Sequence, residues 1–425
     1  MSTRNGTSWS DAFVLGVDEG ATMGTVAGLD WAAEKHDVLI ADEHGAVLEA
    51  LVIDHTEQGI CELIDLLLKQ QVDRVAIERP DGLLVGRLLA AGIEVLAIHP
   101  NQVKAARDRF RPAGGKSDPF DAFVLAELAR TDHHRFPRLA PSGDETVALR
   151  ALSRSREDLV ATRVELANRL RGELERFWPG AAQVFTDVDS PIGLAFIERY
   201  PTPADARHLG AKRLKAFLAR NSYSGRRSPD QLLERLRSAP TASCGETETE
   251  ARRAIVLSFV KTLAPLVEQI SLLTSQIKGA VHAHPDGEIF LALFRDPKSS
   301  VTAAGLVAEI GDNRARYPSA DSLAADAGMA PVAVESGKRR TASFRRGCDH
   351  RLRSHFATLA DSTRHWHPWA NDVYKRARAR GCDHPHAIRI LGRAWTRILW
   401  RCWQDQTPYD PTKHGNLNRL QTTKG

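Results

Sequence analysis

The chain has 425 residues, 42% of them hydrophobic and 26% charged, with a formal net charge of +5. That is enough chain for about three domains with cores of their own, and too apolar for a disordered polymer. Five cysteines without a C-x-x-C pair argue against a disulfide framework, and no apolar run reaches membrane-spanning length, so a soluble cytoplasmic protein without a membrane partner is expected.

The charge is unevenly divided. From Pro331 to the end, 19 Lys/Arg stand against 7 Asp/Glu, which leaves about −7 over the first 330 residues. Five of the eight tryptophans (366, 369, 395, 400 and 403) fall in the basic segment. An acidic front suits a metal site, and a basic, aromatic rear suits a grip on a phosphate backbone. A solvated basic face would carry the same charge.

Residues 1–24 show little periodicity and read as a disordered extension. Val26-Ala27-Gly28-Leu29-Asp30 reads as a strand ending on an acid, and strands over 36–41 and 47–53 follow across short turns, favouring an antiparallel meander. A helix over 56–70 puts Ile60, Leu63, Ile64 and Leu67 on one face. A buried strand from Val72 to Ile77 runs into Glu78, with a helix over 83–91 and a further strand over 93–98. Gly114-Gly115-Lys116-Ser117 then turns into a helix opening Asp118-Pro119-Phe120-Asp121. Residues 25–140 therefore read as one α/β domain, a mixed sheet covered by helices.

Strand interiors disfavour Asp and Glu, and ligand sites of open α/β sheets gather at the carboxyl ends of strands. Asp30 and Glu78 stand at such ends. Asp118 and Asp121, at i and i+3 on a core-facing edge, would repel each other and lose hydration unless a cation bridged them. Each acid also has a structural explanation. Asp118 can cap its helix with Pro119 in the first turn and Asp121 at the capping-box position, Asp30 can cap a turn, and Glu78 can pair with Arg79.

Gly28-Leu29-Asp30-Trp31-Ala32, Ala76-Ile77-Glu78 and Lys116-Ser117-Asp118-x-x-Asp121-Ala122 together resemble the four-acid DEDD signature of a RuvC-like, RNase H-fold nuclease domain. In particular they are similar to the DEDD transposases of the insertion-sequence one-ten group, related to pilin-gene invertase. The resemblance implies that Asp30, Glu78, Asp118 and Asp121 are catalytic and hold two Mg²⁺ ions, with Mn²⁺ as a substitute.

The next segment, 141–285, reads as a helical, coiled-coil linker. A long helix over 145–178 carries Leu152, Leu159 and Leu166 every seven residues. A second alternates Val256, Leu263, Ile270 and Ile277 with Phe259, Leu266, Leu273 and Ala280. Pro265 should kink that helix or start a new one. The two can pair within the chain or between chains. Residues 179–250, interspersed with Pro and Ser, read as an irregular insert.

A mainly helical C-terminal domain is expected over 286–410, followed by a tail over 411–425. Ser300 to Gly311 resembles the second helix of a helix-hairpin-helix, but Asp296-Pro297-Lys298-Ser299 stands where glycines would cradle phosphate, which favours a plain packing helix. Gly347-Cys348-Asp349-His350 and Gly381-Cys382-Asp383-His384 could supply zinc ligands, but each fits a helix start capped by Asp better.

Ala327-Gly328-Met329-Ala330-Pro331, Glu335-Ser336-Gly337-Lys338-Arg339-Arg340 and Arg345-Arg346-Gly347 resemble the second signature of the same family. That resemblance implies a transposase domain whose nucleophile is Ser336, with Ser343 as the fallback. It also implies a transient phosphoserine link to DNA, sites composite between protomers of a homodimer or tetramer, and a structured non-coding guide RNA. Lys116, Lys338, Arg339, Arg340, Arg345, Arg346, Arg351 and Arg353 are the expected nucleic-acid contacts. The rival expectations are a hydrolytic nuclease of the Holliday-junction resolvase type and a non-catalytic DNA-binding regulator.

Overall fold

The computed structural model describes residues 24–111, 117–240, 242–296, 299–336 and 339–422, and the chain divides into two compact units between Pro141 and Ser142. The 1–24 extension thus lies, but for Gly24, outside the described residues.

In the first unit, β1 (Thr25–Trp31), β2 (Lys35–Ala41) and β3 (Val47–Asp54) form the expected antiparallel meander. Helix α1 (Glu57–Lys69) leads to β4 (Val72–Ile77), and α2 (Leu83–Ala90) leads to β5 (Glu94–Ala97); β4 runs parallel to β1, and β5 parallel to β4. The sheet order is β3-β2-β1-β4-β5. Alternation along the strands splits the core in two. Ala27, Leu29, Val75 and Ile77 pack beneath α1 and α2, while Val26, Leu39, Ala76 and Leu96 pack on the other face.

That other face is covered by α3 (Pro100–Phe110) and α4 (Asp118–Thr131). Phe120, Ala122, Leu125 and Ala126 of α4 are buried there. The helix lies almost on the backbone of β1. A Cβ on Gly28 would fall 2.0 Å from the Ala122 carbonyl oxygen and 2.3 Å from the Ala126 nitrogen, so only glycine permits this approach.

The second unit is built on α5 (Asp144–Phe177) and a helix running from Glu246 to Ala283. Between them stand α6 (Pro179–Val184), α7 (Pro191–Arg199), α8 (Ala211–Arg220) and α9 (Pro229–Ser238), where an irregular insert was expected. Three of these four begin at a proline, which suits a first helical turn because no N–H is needed there. The long helix from Glu246 is α10, and it continues through Pro265 without a new start. Arg156 on α5 donates to Thr274 and Arg252 on α10 reaches Glu173, so the two pair antiparallel within this chain.

Each end of that pair has its own core. Leu170, Leu174, Val256 and Leu263 pack with Trp178, Phe196 and Phe217 at one end. At the other, Leu149, Ile277 and Val281 pack with α11 (Gly287–Leu291), α12 (Ser300–Ile310) and α13 (Ala320–Asp326). Contrary to the sequence expectation, α10 is long and apolar enough to span a membrane, yet its seam positions Val256, Leu263, Ile270 and Ile277 are buried in the protein. Helix α12 is buried except at Val301 and Thr302, while Pro297 and Lys298 of the turn before it lie outside the described residues; its Glu309 forms a two-pronged ion pair with Arg154 of α5 at 2.8 Å. Strands β6 (Val332–Ser336) and β7 (Arg339–Ser343) follow, then α14 (His350–Trp366), α15 (Pro368–Ala379), α16 (His384–Gln404) and α17 (Gly415–Thr422). Asp349 and Asp383 accept from the first backbone N–H groups of α14 and α16, as caps do.

Candidate functional site

Along β1 the residues facing α4 are Val26, Gly28 and, by the same alternation, Asp30. Glu78 directly follows Ile77, whose side chain points to the α1 face, so Glu78 turns to the α4 side. Two carboxylates thus stand at the same end of adjacent parallel strands. The first turn of α4 adds Asp118 and Asp121, the latter only 1% exposed.

A guanidinium ties two of these acids together. Arg107 of α3 grips Asp121 with both prongs, through Nε to Oδ1 and through Nη2 to Oδ2 at 2.6 Å. The same Nη2 lies 3.5 Å from Glu78 Oε1, an ion-pair contact without hydrogen-bond geometry, and that oxygen is buried without a hydrogen-bond partner. A bidentate charged pair of this kind is strong where solvent is excluded.

A fifth carboxylate joins them. Asp37 of β2 stands directly opposite Asp30 in the antiparallel register, on the same face of the sheet. Its carboxyl is pushed up from the ordinary aspartate range, first by burial and then by the negative charge of Asp118. Asp37 thus feels the charge of Asp118 and faces Asp30 across the register, while Arg107 joins Glu78 to Asp121.

Among the described residues, no three His, Cys, Asp or Glu side chains converge closely enough to ligate one ion. Arg107 takes up the ground between Glu78 and Asp121. The donor set nevertheless fits a hard divalent cation: all its atoms are carboxylate oxygens, Glu78 Oε1 lacks a hydrogen bond, and Asp37 and Asp118 press like charges together. Sequence reasoning missed Arg107 and Asp37. The signal for α3 was present in His99-Pro100-Asn101-Gln102, a capping box with proline at the first helical position.

The serine signature occupies the hairpin of β6 and β7. Ser336 is exposed at the turn end, opposite Arg339, whereas Ser343 stands at the base, opposite Val332. Lys116, Gly337 and Lys338 lie outside the described residues. Arg346 is exposed, and Arg345 donates to the Ala330 carbonyl at 3.2 Å. Arg353 donates to the Arg345 carbonyl and lies over the Phe344 ring at 4.6 Å. Arg351 is bound to Glu157 and Asp158 of α5, both at 2.7 Å.

Two family models match the chain. A DEDD transposase model covers residues 27–179, and the transposase model of the IS116/IS110/IS902 family covers residues 299–375. The chain is similar to the "Mini-circle putative transposase for IS117" of Streptomyces coelicolor, 32% identical, over 90% of this chain and 94% of that protein. It is also similar to the "Insertion element IS116 uncharacterized 44.8 kDa protein" of Streptomyces clavuligerus, 28% identical over 97% and 98% of the two chains. Among solved structures, T. thermophilus RuvC in complex with a Holliday junction substrate overlaps 27% of this chain and 99% of its own, at 18% identity. The TM-score of that overlap is 0.22.

Proposed function

We propose, because this chain belongs to the IS116/IS110/IS902 family of transposases, that it cuts and rejoins DNA at the ends of an insertion element, with Asp30, Glu78, Asp118 and Asp121 as the metal-holding acids and Ser336 as the nucleophile. The observation that carries the acid assignment is the single guanidinium reaching both Glu78 and Asp121, on a sheet edge where Asp30, Asp37 and Asp118 also lie. Among the described residues, Arg107 is the cation that meets Glu78 and Asp121, and it leaves Glu78 Oε1 buried without a hydrogen bond. Mg²⁺ bound at that edge, as two ions on the family pattern and with Mn²⁺ as substitute, would withdraw charge from a phosphodiester and from the oxygens exchanged on it.

The side chains divide the remaining work. Asp121 and Glu78, now held by Arg107, would hold the ion together with Asp30 and Asp118, and Asp37 faces Asp30 from the neighbouring strand. In strand transfer, the Ser336 Oγ–P bond forms as the phosphorus–oxygen bond to the departing strand end breaks. The serine proton leaves to solvent, and the released oxygen gains one. Because one ester replaces another, the reverse attack by a new strand end rejoins DNA without an energy source. Acids and serine belong to separate compact units, consistent with sites shared between protomers of a dimer or tetramer. The basic rear of the chain would bind the element ends and a structured guide RNA, whose base pairing supplies the sequence choice.

The test is a cleavage and strand-exchange assay on DNA carrying the element's own ends. Asp118→Asn should abolish Mg²⁺-dependent cutting while leaving DNA binding intact. Ser336→Ala should abolish the protein–DNA adduct trapped under denaturing conditions. Cut ends without any adduct in the unmodified protein would identify a hydrolase instead, and tight binding without cutting a regulator.

A further inference from the structure

A cavity of about 550 Å³ lies in the second unit beside the base of the β6–β7 hairpin and against α16. Its size falls within the roughly 300–1,000 Å³ of ordinary ligand pockets. Arg389, Arg393 and Arg397 repeat every four residues along α16, so they form one stripe on the cavity wall, and Arg345 faces in from the hairpin side. Among the described residues, no Asp or Glu lines the cavity.

These charges are poorly answered. Asp321 of α13 meets Arg393 at 3.1 Å and Arg397 at 3.7 Å, so a single carboxylate serves two guanidiniums from outside the cavity. Arg393 Nε is buried and has no hydrogen-bond partner. Arg389 has no carboxylate partner among the described residues; its guanidinium lies 4.8 Å from the centre of the Phe344 ring. Like charges four apart weaken a helix unless an anion meets them. Met329, Pro331, Val373 and Ile390 give the wall an apolar part, Ser343 and His386 add polar groups, and Phe344 is 45% exposed.

We propose that this cavity takes one unstacked nucleotide of a nucleic-acid strand, its phosphates on the Arg389–Arg393–Arg397 stripe and its base against the apolar wall and Phe344. Base edges and double helices need a groove-sized surface, whereas a single flipped unit needs a concavity with an aromatic face and a cationic lip. Ser343 lines the same cavity and Ser336 stands at the far end of the same hairpin, so a nucleotide held here would anchor the strand alongside the serine hairpin. The assignment rests on reading this chain as a nucleic-acid enzyme, but not on the acids or the metal.

The experiment measures binding of short 2-aminopurine-labelled single strands, one DNA and one RNA, to the full chain in EDTA. Unstacking should raise the fluorescence with at least one strand, and the strand that responds identifies whether DNA or RNA supplies the nucleotide. Arg389→Ala and the exposed Arg397→Ala should each weaken that strand about tenfold. Each should also lower the slope of log affinity against log salt by about 0.7. Asp321→Asn, which frees Arg393 and Arg397, should tighten binding severalfold, a result that a merely structural role for these arginines would not give. Unchanged affinity and slope in both arginine variants, or no fluorescence change with either strand, would overturn the proposal. Asp118→Asn should leave the signal intact, so failure of the metal assignment and failure of this one can be told apart.

Discussion

Gly28→Ala tests whether the closeness of α4 to β1 is what sets the acids in place. The added methyl would sit 2.0 Å from the Ala122 carbonyl and 2.3 Å from the Ala126 nitrogen, both rigid backbone atoms. Ordinary contact begins at 3.4 Å, so the helix must lift by about 1.4 Å. Overpacking of this kind costs about 1–3 kcal/mol, which lowers the melting temperature of the unit by several degrees. The larger effect should be on chemistry. Asp118 and Asp121 ride on the first turn of α4, and a displacement of roughly 1 Å at a reacting centre can cost about a hundredfold in rate. Gly86→Ala is the control: nothing lies within 4 Å of its added methyl, and a mid-helix alanine should stabilise α2 slightly. The assay is Mg²⁺-dependent DNA cutting alongside thermal unfolding of both variants. If Gly28→Ala melts and cuts like the unmodified protein, the close packing does not position the acids.

Two further outcomes follow from the buried charges. Arg107→Gln leaves Asp121 buried beside Glu78 without its counter-charge, so the metal-free variant should unfold more readily, with a broken buried pair costing about 3–5 kcal/mol. It should also bind Mn²⁺ more tightly by calorimetry, since no arginine competes; unchanged or weaker metal affinity would refute the competition. His36, buried and hydrogen-bonded to His55 at 2.8 Å, is pushed down to about 4 by burial and then by His55; burial does the same for His367, with His414 adding to it. Both stay neutral in the fold while the unfolded chain takes up protons near pH 6.5, so their stabilisation is complete above that value and is lost as pH falls towards 4. The melting temperature should therefore drop between pH 6.5 and 5, before most carboxylates titrate, and His36→Gln should flatten that limb.

The meander and both parallel strands were legible because each leaves a local mark, alternation or a turn. Helix α3 was not, because Val103 is its one buried side chain, so no apolar stripe announces it. Without α3, Arg107 could not be foreseen at all. Asp37 hid as an ordinary polar position within β2, and only the register shows it facing Asp30. Helices α6, α7 and α9 were read as irregular because the prolines that open them were taken as breakers. The partners of Arg351 were not legible, because Glu157 and Asp158 arrive from nearly two hundred residues away.

The spine formed by α5 and α10 has a wider consequence. Because it carries a separate cluster of buried side chains near each tip, the two tips can loosen independently, linked only by the helical stretch between them. Exchange of backbone amides should accordingly sort this unit into two cooperative blocks. A disturbance at one tip need not reach the helices at the other, which makes the end built from α6 to α9 a natural place for the chain to accept new sequence.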